Sequence, residues 1–321
     1  MKTSVALCTY NGEKYLREQL DSILNQTVSV DEIVICDDKS SDGTHDIINQ
    51  YCIEYPNLIK FHINEVNLRS VKNFEKAISL CHNEIIFLSD QDDIWVKEKV
   101  EEYIIYFEQN AHINVLASNG YCINDNFQVE EKYAIWDVPE FLKNKKIEIN
   151  YFNLITYVSN IATGASIAFR KEIITEIIPF PIIKEFHHDE WIAIVSSLKN
   201  AFEILNKKYF YYRIHDNQQV GGVFFDKNQK EKLLLTEIFD YTNYEISFSS
   251  YKKRLKKIIN SYNRIEALLD FQTILDYRFS LVLLELEELF NKTKIEMKKR
   301  YIIKSSLLNF TDKILKKRQL N

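Results

Sequence analysis

Short apolar runs and helically spaced apolar positions alternate along the first part of the chain. Ser4–Thr9 is a run of strand length, and Tyr10-Asn11-Gly12 after it is a turn signal. Glu13 to Gln26 carries Leu16, Leu20, Ile23 and Leu24 at helical spacing. Glu32–Cys36 predicts a second strand ending in Asp37-Asp38. Ser40-Ser41-Asp42-Gly43-Thr44 then opens a helix with Ser41 or Asp42 at its N-cap. Ile59–Ile63 predicts a third strand, Val71–Cys81 a helix, Ile85–Ser89 a buried strand, Ile94–Phe107 a helix and Ile113–Ser118 another strand.

Strands and helices alternating in this way predict βαβ units around a mainly parallel sheet, an α/β fold. Such a sheet gathers the polar clusters Thr9–Gly12, Asp37–Thr44 and Asp90–Asp93 along its carboxyl edge, where open α/β folds bind ligands.

Beyond residue 120 the alternation weakens. Asn124–Asn126 reads as a turn and Trp136–Asn150 as irregular. Ala162–Phe169 reads as a strand interrupted by Gly164, and a glycine there marks close approach by a ligand or another backbone. A helix follows His187-His188-Asp189-Glu190-Trp191 to Leu198, then strands at Phe202–Leu205 and Tyr209–Ile214. From about Lys227 the pattern is helical, through Leu233–Tyr244, Leu255–Leu269, Leu281–Phe290 and Ile302–Leu315.

The length of 321 residues, 46% hydrophobic, suits one large domain or two smaller ones. Residues 1–225 hold 21 Lys+Arg against 33 Asp+Glu (−12), and residues 226–321 hold 20 against 13 (+7), which together give the net −5. That shift predicts a boundary at 225/226 and a different partner for the second part. The acidic first part argues against nucleic-acid binding. Five cysteines without a Cys-x-x-Cys pair suggest neither zinc nor a disulfide framework, and a reducing cytoplasm is the expected compartment. No signal peptide and no apolar run of membrane-spanning length is expected.

Asp90, Asp92 and Asp93 lie within four positions at a strand end. Carboxylates so crowded repel one another unless a cation or protons separate them, and their hard oxygens suit Mg²⁺ or Mn²⁺ bridging to a diphosphate. A polar turn capping the next helix is the plainer alternative. Asp37-Asp38 suits either a nucleoside site or a turn. Asp189 at a helix start suits either a general base or a cap. His215 is either structural or a metal ligand. No Gly-x-Gly-x-x-Gly follows the first strand and no Gly-Lys-Ser/Thr loop is present, which argues against dinucleotide dehydrogenases and P-loop nucleotidases.

In order, Cys8-Thr9-Tyr10-Asn11-Gly12, Asp37-Asp38-Lys39-Ser40-Ser41-Asp42-Gly43-Thr44, Ser89-Asp90-Gln91-Asp92-Asp93, Ala162-Thr163-Gly164-Ala165, His188-Asp189-Glu190-Trp191 and Tyr212-Arg213-Ile214-His215-Asp216-Asn217 resemble the inverting glycosyltransferases of family two, which have the GT-A fold. The flavour is similar to the bacterial rhamnosyltransferase-like branch that builds O-antigen or capsular polysaccharide. The resemblance covers residues 1–225. It implies a nucleoside-diphosphate sugar as donor, dTDP-rhamnose or a UDP-hexose, and a saccharide or lipid-linked acceptor. It implies a donor site of Thr9, Tyr10, Asn11, Asp38, Arg69, Asn73, Asp90 and Gly164. Asp92, His215 and Asp93 would hold Mn²⁺ or Mg²⁺, and Asp189 would be the base.

Asn67-Leu68-Arg69 departs from the relatives' Asn-x-Gly, and the processive Gln-x-x-Arg-Trp signature is absent, which favours transfer of a single sugar. The basic helical region suits peripheral contact with the inner face of the cytoplasmic membrane, or a lid or homodimer element. A nucleotidyltransferase lacks support from a basic Gly-rich loop. A catalytically silent sugar-nucleotide-binding module or assembly partner is the alternative from another class, opposed by the intact Asp90, Asp92 and Asp189.

Overall fold

A computed structural model describes residues 1–215, 224–271 and 275–315. The chain divides into two compact units. One comprises Met1–Asp137, Ala162–Ile182 and His187–Phe224; the other comprises Val138–Ile161, Ile183–Phe186 and Phe225–Asn321. The helical second unit therefore includes residues 138–161, which the change in charge near 225 did not mark.

Numbered along the chain, the first unit opens with β1 (Thr3–Thr9), α1 (Leu16–Leu24), β2 (Glu32–Asp37), α2 (Thr44–Glu54), β3 (Ile59–Ile63), α3 (Arg69–Ser79) and β4 (Ile85–Ser89). It continues through β5 (Ile94–Trp95), α4 (Lys99–Gln109), β6 (Val115–Ile123), β7 (Val129–Glu130) and β8 (Lys132–Ala134). After α5 (Val138–Asn144) and α6 (Tyr151–Tyr157) of the second unit come β9 (Ala168–Arg170), α7 (Ile174–Ile177), α8 (His188–Leu198) and β10 (Phe202–Arg213).

The sheet runs β3-β2-β1-β4-β9-β6-β10-β5, with β7 beside β6. β3, β2, β1 and β4 are mutually parallel, as are β6 and β10, while β9 lies antiparallel between β4 and β6. This is the mainly parallel α/β sheet that the alternation predicts. The central strands are buried on both faces, so they read as continuous apolar runs. Val5, Ile35 and Phe87 meet Leu20 of α1 and Tyr103 of α4 in one core. Each large side chain buried there contributes roughly 1.5–3 kcal/mol.

Four local expectations are corrected. Ile94 and Trp95 do not start a helix; they pair antiparallel with Tyr211 and Phe210, and α4 begins at Lys99. Gly164–Ser166 is a 3₁₀ turn rather than strand, so only Ala168–Arg170 joins the sheet. The two expected strands at 202–214 are one 12-residue strand whose register shifts between Leu205 and Lys208 and again before Tyr211. Part of the stretch read as irregular forms α5 (Val138–Asn144).

The second unit comprises α5, α6 (Tyr151–Tyr157), α9 (Gln229–Phe239), α10 (Phe248–Asp270), α11 (Asp276–Arg300) and α12 (Ile302–Leu315), with β11 (Phe224–Asp226) at its entry. α10 and α11 pack together, and Leu255 and Ile258 of α10 and Val282 and Leu286 of α11 are buried. Arg254 is fully buried, and its guanidinium donates to the carbonyls of Glu237, Asp240 and Asn243, satisfying the open end of α9. Among the described residues, no helix is long and apolar enough to cross a membrane.

Candidate active site

Parallel register sets the first half of the site. Thr9 at the end of β1 lies beside Asp37 at the end of β2, and Leu7 beside Ser89 at the end of β4. The loops after these strands therefore emerge at one edge and bind one another. Gln91 grips the backbone of Tyr10 at both ends: Tyr10 N–H donates to Oε1 at 2.8 Å and Nε2 donates to the Tyr10 carbonyl at 3.0 Å. Gly12 permits this closeness, since a Cβ there would stand 2.3 Å from Gln91 Oε1. Asn11 takes a positive φ of 50° and is held by Ser40 Oγ, which accepts its N–H at 2.8 Å.

Asp37 and Asp38 have separate tasks. Asp37, fully buried, accepts from Thr9 Oγ1 at 2.6 Å and from Ser40 Oγ at 2.5 Å, and contacts His45 Nε2 at 2.6 Å. Burial pushes its carboxyl up, and these hydrogen bonds bring it below the usual value. Asp38 accepts from Asn64 Nδ2 and from the backbone N–H groups of Leu68 and Arg69, at 2.6–2.8 Å. It thereby folds the Asn67-Leu68-Arg69 turn, in which Arg69 adopts φ 62° and stays exposed. Tyr10 is 44% exposed over this floor. Asn73 is turned away from it: Nδ2 donates to the Cys36 carbonyl and Oδ1 accepts from Asn64, both in the interior. The sequence reading of Asn73 as a donor-site contact becomes a supporting role in the wall.

The acidic loop after β4 is electrostatically loaded. Asp92 Oδ2 lies 3.0 Å from His215 Nε2. Burial, then the charges of Asp92 and Asp189, push the Asp90 carboxyl up to about 8. Asp93 turns inward. It is 2% exposed, its Oδ1 accepts from Arg213 N–H at 3.2 Å, and its Oδ2 has no hydrogen-bond partner among the described residues. That orientation corrects the reading of Asp93 as a direct metal ligand. Burial raises its carboxyl well above the usual range. The counter-charge inside is Lys99, fully buried, 4.2 Å from the centroid of the Trp95 ring and lowered by burial to about 7.

The donor set fits a divalent cation in one respect. A carboxylate and an imidazole in contact offer two ligands, and Mg²⁺ or Mn²⁺ is commonly held by one or two protein groups together with substrate phosphates. No group of three or more candidate ligands exists among the described residues. Arg213 fixes the Asp92 backbone: Nε donates to the Asp92 carbonyl at 3.0 Å, Nη1 reaches the carbonyls of Asn124 and Asp125, and Nη2 pairs with Glu18. Of the last motif, Asp216 and Asn217 lie outside the described residues.

Asp189 reaches the same place from α8. Its Oδ2 accepts from Gly164 N–H at 3.2 Å and its Oδ1 from Glu190 N–H at 2.7 Å. Burial raises the carboxyl to about 6, and the backbone N–H groups oppose the rise. A Cβ on Gly164 would sit 3.1 Å from His188 Nε2 and 3.6 Å from Asp90 Oδ2, so Asp90, Asp189 and His188 converge on this glycine. His188 stacks on Phe74 at 4.0 Å and is lowered by burial to about 3, hence neutral.

Four residues that shape the site were not singled out from sequence. Lys99 is in register with Tyr103 and Phe107 on the buried face of α4, a four-residue spacing that would have revealed it. Arg213 continues the alternation from Tyr209 and Tyr211. Gln91 and His188 carried no signal beyond their neighbours' motifs.

A model of glycosyl transferase family 2 matches residues 4–178. Putative glycosyltransferase EpsE of Bacillus subtilis is 32% identical over 139 residues, 43% of this chain and 50% of EpsE, so the match spans half of that relative. The dTDP-rhamnosyl transferase RfbG of Shigella flexneri is 28% identical over 268 residues, 79% of this chain and 84% of RfbG. Staphylococcus aureus TarS 1–349, solved in complex with UDP-GlcNAc, superposes with a TM-score of 0.54 at 18% identity, covering 94% of this chain and 92% of that one. Mannosyltransferase PcManGT from Pyrobaculum calidifontis, in complex with GDP-Man and Mn²⁺, gives 0.52 at 13% identity, covering 98% and 80%. These two likenesses establish the fold.

Proposed function

The chain belongs to glycosyl transferase family 2 and is a glycosyltransferase, and from that premise we propose a metal-dependent, inverting transfer of one sugar. The donor is a nucleoside-diphosphate sugar, and the acceptor is a hydroxyl of a saccharide or lipid-linked oligosaccharide in bacterial surface-polysaccharide synthesis. Similarity to RfbG over most of both chains supports dTDP-rhamnose first and a UDP-hexose second. The observation that carries the reading is the meeting of Asp189 with Asp90 across Gly164, beside the Asp92–His215 pair. That arrangement supports a general base next to a site for a charged leaving group.

Thr9, Tyr10, Asn11 and the turn folded by Asp38 form the nucleoside end of the site. Asp90 lies nearer the ribose, and Arg69 is exposed at the rim. Asp92 and His215 would hold Mn²⁺ or Mg²⁺. When bound, the cation neutralises the departing diphosphate as a Lewis acid. Asp189 is fixed by two backbone N–H groups, which leave it free to accept the proton of the acceptor hydroxyl. As that proton leaves, the hydroxyl oxygen attacks the anomeric carbon from the face opposite the nucleotide. The bond from the anomeric carbon to phosphate oxygen breaks, and the configuration inverts. A base near 6 is ionised at neutral pH and still basic enough to assist.

Residues 1–225 carry this chemistry, and the helices of 226–321 bring the enzyme to a membrane that holds the acceptor. The test is hydrolysis of dTDP-rhamnose, UDP-glucose, UDP-galactose and UDP-N-acetylglucosamine, each with Mn²⁺ and with EDTA. Slow, Mn²⁺-dependent release of one nucleoside diphosphate is the expected result. No release, with no thermal shift by any nucleotide, would refute the proposal.

A further inference from the structure

α12 turns two polar residues inward while a row of its apolar residues faces outward. Ser305 is fully buried and Asp312 is 6% exposed, seven residues apart on the inner face. On the outer face Ile303, Leu307 and Phe310 follow one another at helical spacing, 77%, 62% and 65% exposed, and Ile302 beside them is 65% exposed. A run of this kind on a surface helix costs hydration and marks an interaction face rather than scattered exposure.

The rim of that face is basic. Residues 292–312 contain six Lys or Arg and two acids, Glu296 and Asp312. Lys298, Lys299, Arg300 and Lys304 are exposed; Lys299 pairs with Glu296 and Arg300 with Glu245. Two copies meeting through this face would oppose their own positive rims, which disfavours a homodimer contact. An anionic lipid headgroup layer matches both features: it attracts the rim, and its acyl boundary accepts the apolar row. At 14 residues the helix is too short to span a bilayer and suits lying along its surface.

We propose that the outer face of α12 docks on an anionic lipid bilayer, with Ile303, Leu307 and Phe310 entering the headgroup boundary and Lys298 and Lys304 contacting phosphates. This deepens the membrane contact proposed above by naming its surface, and its test does not depend on the identity of the sugar donor.

The full chain is floated with phosphatidylcholine vesicles with and without phosphatidylglycerol. Co-flotation is expected with phosphatidylglycerol at low salt, with the bound fraction about tenfold lower for Ile303→Glu/Leu307→Glu/Phe310→Glu. Lys298→Glu/Lys304→Glu should weaken binding mainly at low salt. Circular dichroism melting and nucleotide-sugar hydrolysis of the same preparations report folding and the donor site separately. If the triple variant does not fold, Leu307→Ser alone carries the comparison. The proposal is overturned if the wild-type chain stays unbound with phosphatidylglycerol, if the folded variants float unchanged, or if light scattering shows a dimer that Leu307→Ser dissociates while flotation is absent.

Discussion

Lys99 donates its ammonium to the carbonyl of Ala165 at 2.6 Å, and both partners are buried. One turn along α4, Tyr103 Oη donates to the carbonyl of Ser166 at 2.6 Å. These two side chains hold the Gly164–Ser166 turn from below, and that turn presents the Gly164 N–H to Asp189. Lys99→Met should leave the Ala165 carbonyl without its ammonium donor and remove a buried positive charge that favours the ionised form of Asp93. The expected loss of stability is about 3 kcal/mol, the lower range for breaking a buried charge contact. Turnover should fall more than KM rises, because the turn orients the base. Urea unfolding and steady-state kinetics of the variant measure both; unchanged stability would show that Lys99 anchors nothing.

Asp189→Asn keeps the shape of the side chain and removes its basicity. Nucleotide-sugar binding should be nearly unchanged while turnover falls about 10²–10⁴-fold. The wild-type pH profile has a defined sign. Burial raises the carboxyl to about 6, and the ionised form is the reactive one. Activity should therefore be flat above that value and fall about tenfold per pH unit below it. Whatever activity remains in the variant should lack this acidic limb. A wild-type limb that persists unchanged in Asp189→Asn would assign it to another group.

Much of this architecture was legible because buried parallel strands announce themselves. Val5-Ala6-Leu7, Ile33-Val34-Ile35 and Ile85-Ile86-Phe87-Leu88 are covered on both faces, so their sequences are continuously apolar. Their loops meet by topology, and that is how Thr9, Asp38 and Asp90 could be placed together in advance. The failures lie where long-range contacts decide. Ile94-Trp95 has the apolar content of a helix start, yet Phe210 and Tyr211 recruit it as an edge strand. Asn73 sits at the right place in the chain for a donor contact, but the Cys36 carbonyl and Asn64 claim its amide. By sequence Asp93 follows the Asp90 and Asp92 pair as a further candidate ligand, and only the fold turns it inward and leaves Asp92 beside His215.

Asp92→Asn and His215→Ala should each weaken Mn²⁺ binding through the 3.0 Å pair they share. The concentration of Mn²⁺ giving half-maximal hydrolysis should rise in both, and EDTA should abolish the residual activity of each. The double variant should cost less than the two single changes combined, since either change already breaks the pair. Titrating Mn²⁺ against hydrolysis for the three variants measures this. Simple additivity would mean that the two side chains act separately.

Gly164→Ala tests how tightly the centre is built. The new methyl would lie 3.1 Å from His188 Nε2, a contact that requires the imidazole to yield. The ring has little room to do so, because Phe74 is stacked on one side at 4.0 Å and Phe180 lies 6.1 Å away. Overpacking of this kind costs about 1–3 kcal/mol. It should also displace the Gly164 N–H from Asp189, so turnover should drop more than the stability loss alone would suggest. Removing the obstruction offers a direct check, since Gly164→Ala/His188→Ala frees the space that the methyl needs. Turnover of the double variant should recover relative to Gly164→Ala. If the double variant is slower than the single one, the injury comes from the backbone of the turn and not from the clash with His188.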